Sequence, residues 1–162
     1  MGINRYLPHV FVLPEDDRDR QLAIGFLLDE NLAISKIQVL PEAGGWSKVL
    51  DLFKSDHICE MERYPHRFMV LLIDFDGKQD RLGQAKAKIP GHLIERVFVL
   101  GAWTDPEDLR AKLGSYETIG KLLAKDCREG TDTTWGHDLL RHNASEIDRL
   151  RRHVRPILFE SI

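Results

Sequence analysis

The stretch that decides the fold runs from Arg67 to Gly77 and reads RFMVLLIDFDG. Met69, Val70, Leu71, Leu72 and Ile73 follow one another with no polar residue between them. An apolar run without alternation predicts a strand covered on both faces, the situation of a central strand in a parallel sheet. Asp74 and Asp76 stand where that strand runs out, and Gly77 turns the chain away. In open α/β sheets, ligands gather beyond the carboxyl ends of the strands. A two-residue period puts both carboxylates on one side, with Phe75 opposed. Two carboxylates that close repel, and a divalent cation held through oxygens is the usual remedy. Asp and Gly also favour turns, so a plain strand-to-loop exit is the competing reading.

Upstream, His9 to Leu13 (HVFVL) is a β-branched and aromatic run stopped by Pro14, and Glu15-Asp16-Asp17-Arg18-Asp19 follows at once. Leu22, Ala23, Phe26 and Leu27 then fall on one helical face. Asp16 and Asp17 suit a first helical turn, where carboxylates cap free N–H groups and complement the helix dipole. Glu15 differs, because it sits at a strand exit as Asp74 does. Lys36 to Leu40 (KIQVL) is a second strand closed by Pro41, which makes Glu42 a third strand-exit carboxylate. Gly44-Gly45 precedes a helix with Trp46, Val49, Leu50 and Phe53 on its face; such a turn offers backbone N–H groups to an anion, though GGWSK lacks P-loop spacing. Ser55 to His66 reads as a polar, proline-broken loop.

Downstream, Lys78-Gln79-Asp80-Arg81 is a charged turn, and Lys78 and Arg81 either meet a phosphate or lie solvated. A short amphipathic piece leads to Ile89, and Arg96 to Leu100 (RVFVL) is a fourth strand. Asp105-Pro106 opens a helix that Gly114 closes, and Ser115 caps the next, with Ile119, Leu122, Leu123 and Cys127 on its face. A last helix is expected from about Trp135, carrying Leu140, Ala144, Ile147, Leu150 and Val154, with Arg141, Arg149 and Arg152 as a basic face. The alternation of strands and helices predicts an α/β, Rossmann-like parallel sheet of about four strands flanked by helices. Residues 1–103 form this core, and residues 104–162 a helical extension packed on it.

At 162 residues, the chain is long enough for one domain with a substantial core. A formal net charge of -3 gives no basic signature, so a polyanion must be met by local patches. Cys59 and Cys127 lie far apart and form no CxxC pair, which argues against a zinc knuckle or disulfide framework and fits a reducing cytoplasm. No leader-like or membrane-length apolar run occurs, so a cytoplasmic protein without a membrane partner is expected.

The acids and their order resemble the TOPRIM domain found in topoisomerases, primases, small ribosomal-RNA maturases and OLD-type nucleases. The likeness rests on a Glu at the first strand exit with an Asp four residues on (Glu15, Asp19), and a D-x-D after a later apolar strand (Asp74, Asp76), over roughly residues 8 to 103. The resemblance implies a magnesium (or manganese) ion and phosphodiester chemistry on nucleic acid, with catalytic and metal-binding roles on Glu15, Asp74 and Asp76. Asp19, Glu42 and Asp80 stand in the second line, and Lys78 and Arg81 are the phosphate-binding candidates. TOPRIM nucleases often act with an ATPase or another domain, so a protein partner is expected too. Asp16 stands where the family usually has Gly, and either crowds the turn or adds another oxygen ligand there.

LLIDFDGK also resembles the nucleophile motif of haloacid-dehalogenase phosphatases, with Lys78 in the Thr position and two βα units ahead of it. A receiver domain is a weaker likeness, because VFVLGA lacks the hydroxyl residue expected after the fourth strand. The third reading is a non-catalytic α/β interaction module.

Overall fold

A computed structural model of the chain describes residues 2–159. Among them, β1 (His9–Pro14), β2 (Ile37–Val39), β3 (Arg67–Leu72) and β4 (Val97–Leu100) form one all-parallel sheet in the order β2-β1-β3-β4. The chain is thus the expected Rossmann-like α/β fold. β3 pairs with β1 along its whole length and with β4 on its other side, so the apolar run lies in the middle of the sheet. Met69 and Leu71 are completely buried on one face, while Val70 packs into the core of the other.

Two helical layers complete the molecule. α1 (Asp17–Phe26), α5 (Pro106–Leu113), α6 (Tyr116–Glu129), α7 (Ala144–His153) and α8 (Arg155–Leu158) share a core with Val10, Val12, Val70 and Phe98. α2 (Trp46–Leu52), α3 (Ile58–Arg63) and α4 (Arg81–Lys86) share the other with Phe11, Leu13, Met69 and Leu71. Residues beyond 103 therefore supply most of one layer over the sheet. α1 and α6 cross at two glycines: a Cβ on Gly120 would lie 2.2 Å from the Leu22 carbonyl oxygen, and one on Gly25 2.3 Å from that of Glu117.

The local signals in α5 and α6 are obeyed. The Asp105 carboxylate accepts from the Glu107 N–H with Pro106 in the first turn, the Ser115 hydroxyl accepts from the Thr118 N–H, and Gly130 ends α6 in the left-handed region.

Two expectations need correction. Ser55 to His66 is mostly helical: a π-turn at Phe53–His57 joins α2 to α3. Its extra residue brings Phe53 and Met61, eight positions apart and both fully buried, into the same core, and this shift hides the 3.6-residue period. The last long helix, α7, starts at Ala144, not near Trp135. The buried Asp126 carboxylate captures the N–H groups of Thr134 (2.6 Å) and Trp135 (3.0 Å) and the Thr131 hydroxyl (2.7 Å), offering that segment a non-helical alternative.

β4 is a sheet edge whose outward backbone groups are taken up by side chains. The Val97 carbonyl accepts from Arg149, the Val99 N–H donates to Glu146 (3.1 Å), and Gly101 exchanges bonds of 3.2 and 3.0 Å with the Asn143 amide. Arg149, expected on a basic solvent face, is thus turned inward and also pairs with the buried Glu146. Arg141 and Arg152 remain exposed.

Candidate metal centre

β1 and β3 lie side by side, with β2 beyond one and β4 beyond the other. The strand order reverses between them, which opens a crevice at their carboxyl ends. Glu15 follows β1 directly, its N–H donating to the Leu72 carbonyl (2.8 Å). Asp16 caps α1, its carboxylate accepting from the Asp19 N–H (3.0 Å). One helical turn on, Asp19 points back under the cap, and Asp74 enters from β3. Glu15, Asp16, Asp19 and Asp74 each bring one carboxylate oxygen within 4.8 Å of the others.

Asp19 is completely inaccessible to solvent, and neither of its carboxylate oxygens has a hydrogen-bond partner. Asp74 is nearly as buried, and its Oδ1 is also without a partner. Burial disfavours the ionised form, and neighbouring carboxylates disfavour it further. Burial, then Asp74, pushes the Glu15 carboxyl up to about 8; burial lifts Asp74 to about 6. Asp19 is driven well above the ordinary range by burial and then by Asp74. Asp16 is the exception: burial pushes it up, but hydrogen bonds from the Asp19 N–H and Arg18 outweigh that and leave it low.

The structure draws together three of the acids singled out from sequence, Glu15, Asp19 and Asp74, and adds Asp16, which both caps α1 and joins the cluster. Asp76 is elsewhere. Its backbone takes the left-handed region at φ 51°, which Asp tolerates better than most residues, and its exposed carboxylate accepts from Arg81 at 2.6 Å. The strand period that placed both carboxylates on one side ends at Leu72, two residues before Asp74. Arg81 is buried rather than free for a phosphate: its NH1 also donates to the Asp74 carbonyl (2.9 Å), and its guanidinium lies over the Trp46 ring. It fixes the loop that presents Asp74. Lys78 and Asp80 are exposed, Asp80 accepting from Gln84, and Glu42 is half exposed, 3.9 Å from Arg20. The Gly44 N–H is occupied by the Glu15 carbonyl (2.7 Å), so that turn braces the β1 exit rather than seating an anion.

Arg18 escaped the sequence reading. Its NH2 lies 2.9 Å from Asp16 and 3.9 Å from Asp74, and its NH1 donates to Asp105 of the α5 cap. Its only signal was a cation inside an acidic run.

No family model, curated protein or solved structure matches the chain. Among the described residues, no helix is long and apolar enough to cross a membrane.

The raised Glu15 carboxyl has a consequence for stability. Its ordinary value is 4.5, so between there and about 8 the folded chain holds a proton that the unfolded chain has lost. The stability it contributes is complete below pH 4.5 and is lost as pH rises through 8. His142, lowered to about 4 by burial, works the other way, losing stability as pH falls below 6.5. The metal-free protein in chelator is therefore expected to melt at lower temperature at pH 8 than Glu15→Gln does, with the gap narrowing toward pH 5. Parallel melting curves for the two proteins across this window would refute the assignment.

Proposed function

We propose that the chain is a TOPRIM-like, divalent-metal-dependent phosphodiesterase acting on nucleic acid, with magnesium or manganese held by Asp19 and Asp74 together with Glu15 and Asp16. The observation that carries this reading is the Asp19 carboxylate, sealed from water with both oxygens unbonded, facing an equally unbonded Asp74 oxygen inside a four-carboxylate cluster. Buried carboxylates without hydrogen bonds are costly, and a cation offsets both their repulsion and their lost hydration. An all-oxygen donor set suits magnesium, calcium or manganese rather than zinc or copper. Such an ion, when bound, lowers the pKa of a coordinated water and neutralises charge developing on phosphate oxygens.

The protein's own groups have distinct tasks. Asp19 and Asp74 are fixed donors, held by a helix turn and by a loop that Arg81 pins. Glu15 is the acid that the TOPRIM resemblance casts as a metal-site acid or general acid/base; its carboxyl is lifted by burial and Asp74 in the cluster itself, and a bound cation would bring it back down. Asp76 acts as a positioning residue through Arg81, and not as a ligand. The nucleic-acid substrate, and an ATPase or other protein partner, rest on the TOPRIM resemblance. The separation of Asp76 from Asp74 departs from the paired aspartates of a haloacid-dehalogenase mechanism and equally from the D-x-D of the TOPRIM resemblance, so the reading rests on Asp19 and Asp74 instead.

Calorimetric titration of magnesium or manganese tests the proposal. The wild type is expected to bind, Asp74→Asn to lose about 10-fold or more in affinity, and Asp76→Asn to change it only a few-fold, since tenfold corresponds to about 1.4 kcal/mol. Absence of binding by the wild type would overturn the metal reading. Binding without hydrolysis of any single- or double-stranded DNA or RNA would leave the non-catalytic module.

A further inference from the structure

The cluster carries a cation at its mouth that the reading above leaves without a task. Arg18 is the second residue of α1, between the two aspartates that the first turn contributes. Its side chain is 34% exposed where that of Asp74 is 5%, so the guanidinium lies at the boundary between the buried acids and water. Other cations of this region are engaged elsewhere: Arg81 with Asp76 and the Asp74 carbonyl, Arg20 with Asp17 and Glu42.

We propose that Arg18 is the phosphate-receiving residue of this site, so that a phosphate oxyanion is bound between the metal and the Arg18 guanidinium. The inference rests on the reading that the cluster holds a divalent cation. An acidic cluster by itself repels a phosphate. A cation taking oxygens of Asp16 and Asp74 claims the lone pairs that now face Arg18 NH2 and repels the guanidinium's charge. NH1 stays anchored by Asp105, which belongs to the α5 cap and lies on the solvent side, 50% exposed. The tether keeps the planar fork at the mouth, while NH2 turns from carboxylates to an incoming anion. A guanidinium fork matches phosphate oxygens two at a time, which an ammonium does not. Metal and arginine together then present oxyanion-binding groups that the carboxylates alone do not.

The test is a pair of titrations followed by NMR on the full chain. Magnesium is added first, then either inorganic phosphate or dimethyl phosphate, to wild type, Arg18→Met and Arg18→Lys. Arg18→Met is expected to bind magnesium as tightly as the wild type or more so, having lost an internal competitor. Its magnesium-loaded form is expected to lose about 10-fold or more in phosphate affinity, in line with a hydrogen bond to a charged group. Arg18→Lys should keep part of that affinity, and the Arg18 Nε–H signal of the wild type should shift as phosphate is added.

A larger loss for dimethyl phosphate marks a diester site, and one for inorganic phosphate a monoester site. Wild-type phosphate affinity in magnesium-loaded Arg18→Met would overturn the inference while leaving the metal site standing. Loss of magnesium together with phosphate in Arg18→Met would also overturn it, by making Arg18 a structural part of the cluster. Failure of the wild type to bind magnesium would bring down the metal reading, and this inference with it.

Discussion

Asp19→Asn is expected to stabilise the metal-free protein while removing most of its affinity for a divalent cation. The two effects have one cause. Asp19 is inaccessible to solvent, has no hydrogen-bond partner for either oxygen, and faces other carboxylates. Keeping an unsatisfied buried polar group costs about 1–3 kcal/mol, and more when it is charged. An amide is neutral, nearly the same shape, and has N–H groups to donate to the orphaned Asp74 oxygen. A gain of about 1–2 kcal/mol in chelator at pH 8 is therefore expected from urea denaturation, shrinking as pH falls and the wild-type carboxyl takes up its proton. Losing a directly binding oxygen should cost more than the 10–100-fold typical of groups behind the ligands, so calorimetry is expected to give a loss of about 100-fold or more. A variant that is less stable than wild type in chelator, or that binds magnesium unchanged, would show that Asp19 belongs to the scaffold.

Gly120→Ala is expected to be the most damaging single methyl in the helical layer. The new Cβ would lie 2.2 Å from the Leu22 carbonyl oxygen and 2.7 Å from the Phe26 backbone nitrogen. Both are backbone atoms of α1, so no side chain can swing aside, and the two helices must separate. Overpacking a close-packed site costs about 1–3 kcal/mol, and a backbone-to-backbone clash belongs at or above the top of that range. Gly83→Ala in α4 is the internal control. Nothing lies within 4 Å of its Cβ, and replacing a helical glycine by alanine is worth about 0.5–1 kcal/mol in the favourable direction. Denaturation midpoints moving apart in this way support the crossing. A Gly120→Ala loss no larger than a typical surface substitution would mean that α1 and α6 do not approach so closely.

What was legible in the sequence was whatever is decided locally. The apolar run before Asp74 could be only a covered strand, and Asp105-Pro106 and Ser115 cap their helices with no help from the rest of the chain. Glu15 and Asp74 were found together because parallel strands deliver their carboxyl ends to one side of a sheet. The remainder depended on features that spacing does not carry. Asp76 is diverted by the left-handed backbone of Asp76 itself and Gly77, and Arg81 gains a partner by that diversion. Asp16 was read as a cap, which it is, but the capping geometry is also what swings Asp19 beneath it into the cluster. Arg18 is placed by Asp74 and Asp105, which lie far along the chain, Asp105 87 positions away. The π-turn at Phe53–His57 concealed a helix by shifting its period by one residue.

The treatment of β4 bears on how the molecule behaves among copies of itself. A sheet edge with bare N–H and C=O groups invites a strand from another chain, and this is a common start of aggregation. Here Asn143, Glu146 and Arg149 occupy the Val97 carbonyl, the Val99 N–H and both backbone groups of Gly101, so most of the pairing sites on this side are already engaged. The opposite edge, β2, is only three residues long. α7 and the turn before it thus serve as a colloidal safeguard as well as a packing layer: partial undocking of this segment would expose the flank of the sheet and make the protein sticky before it lost its fold.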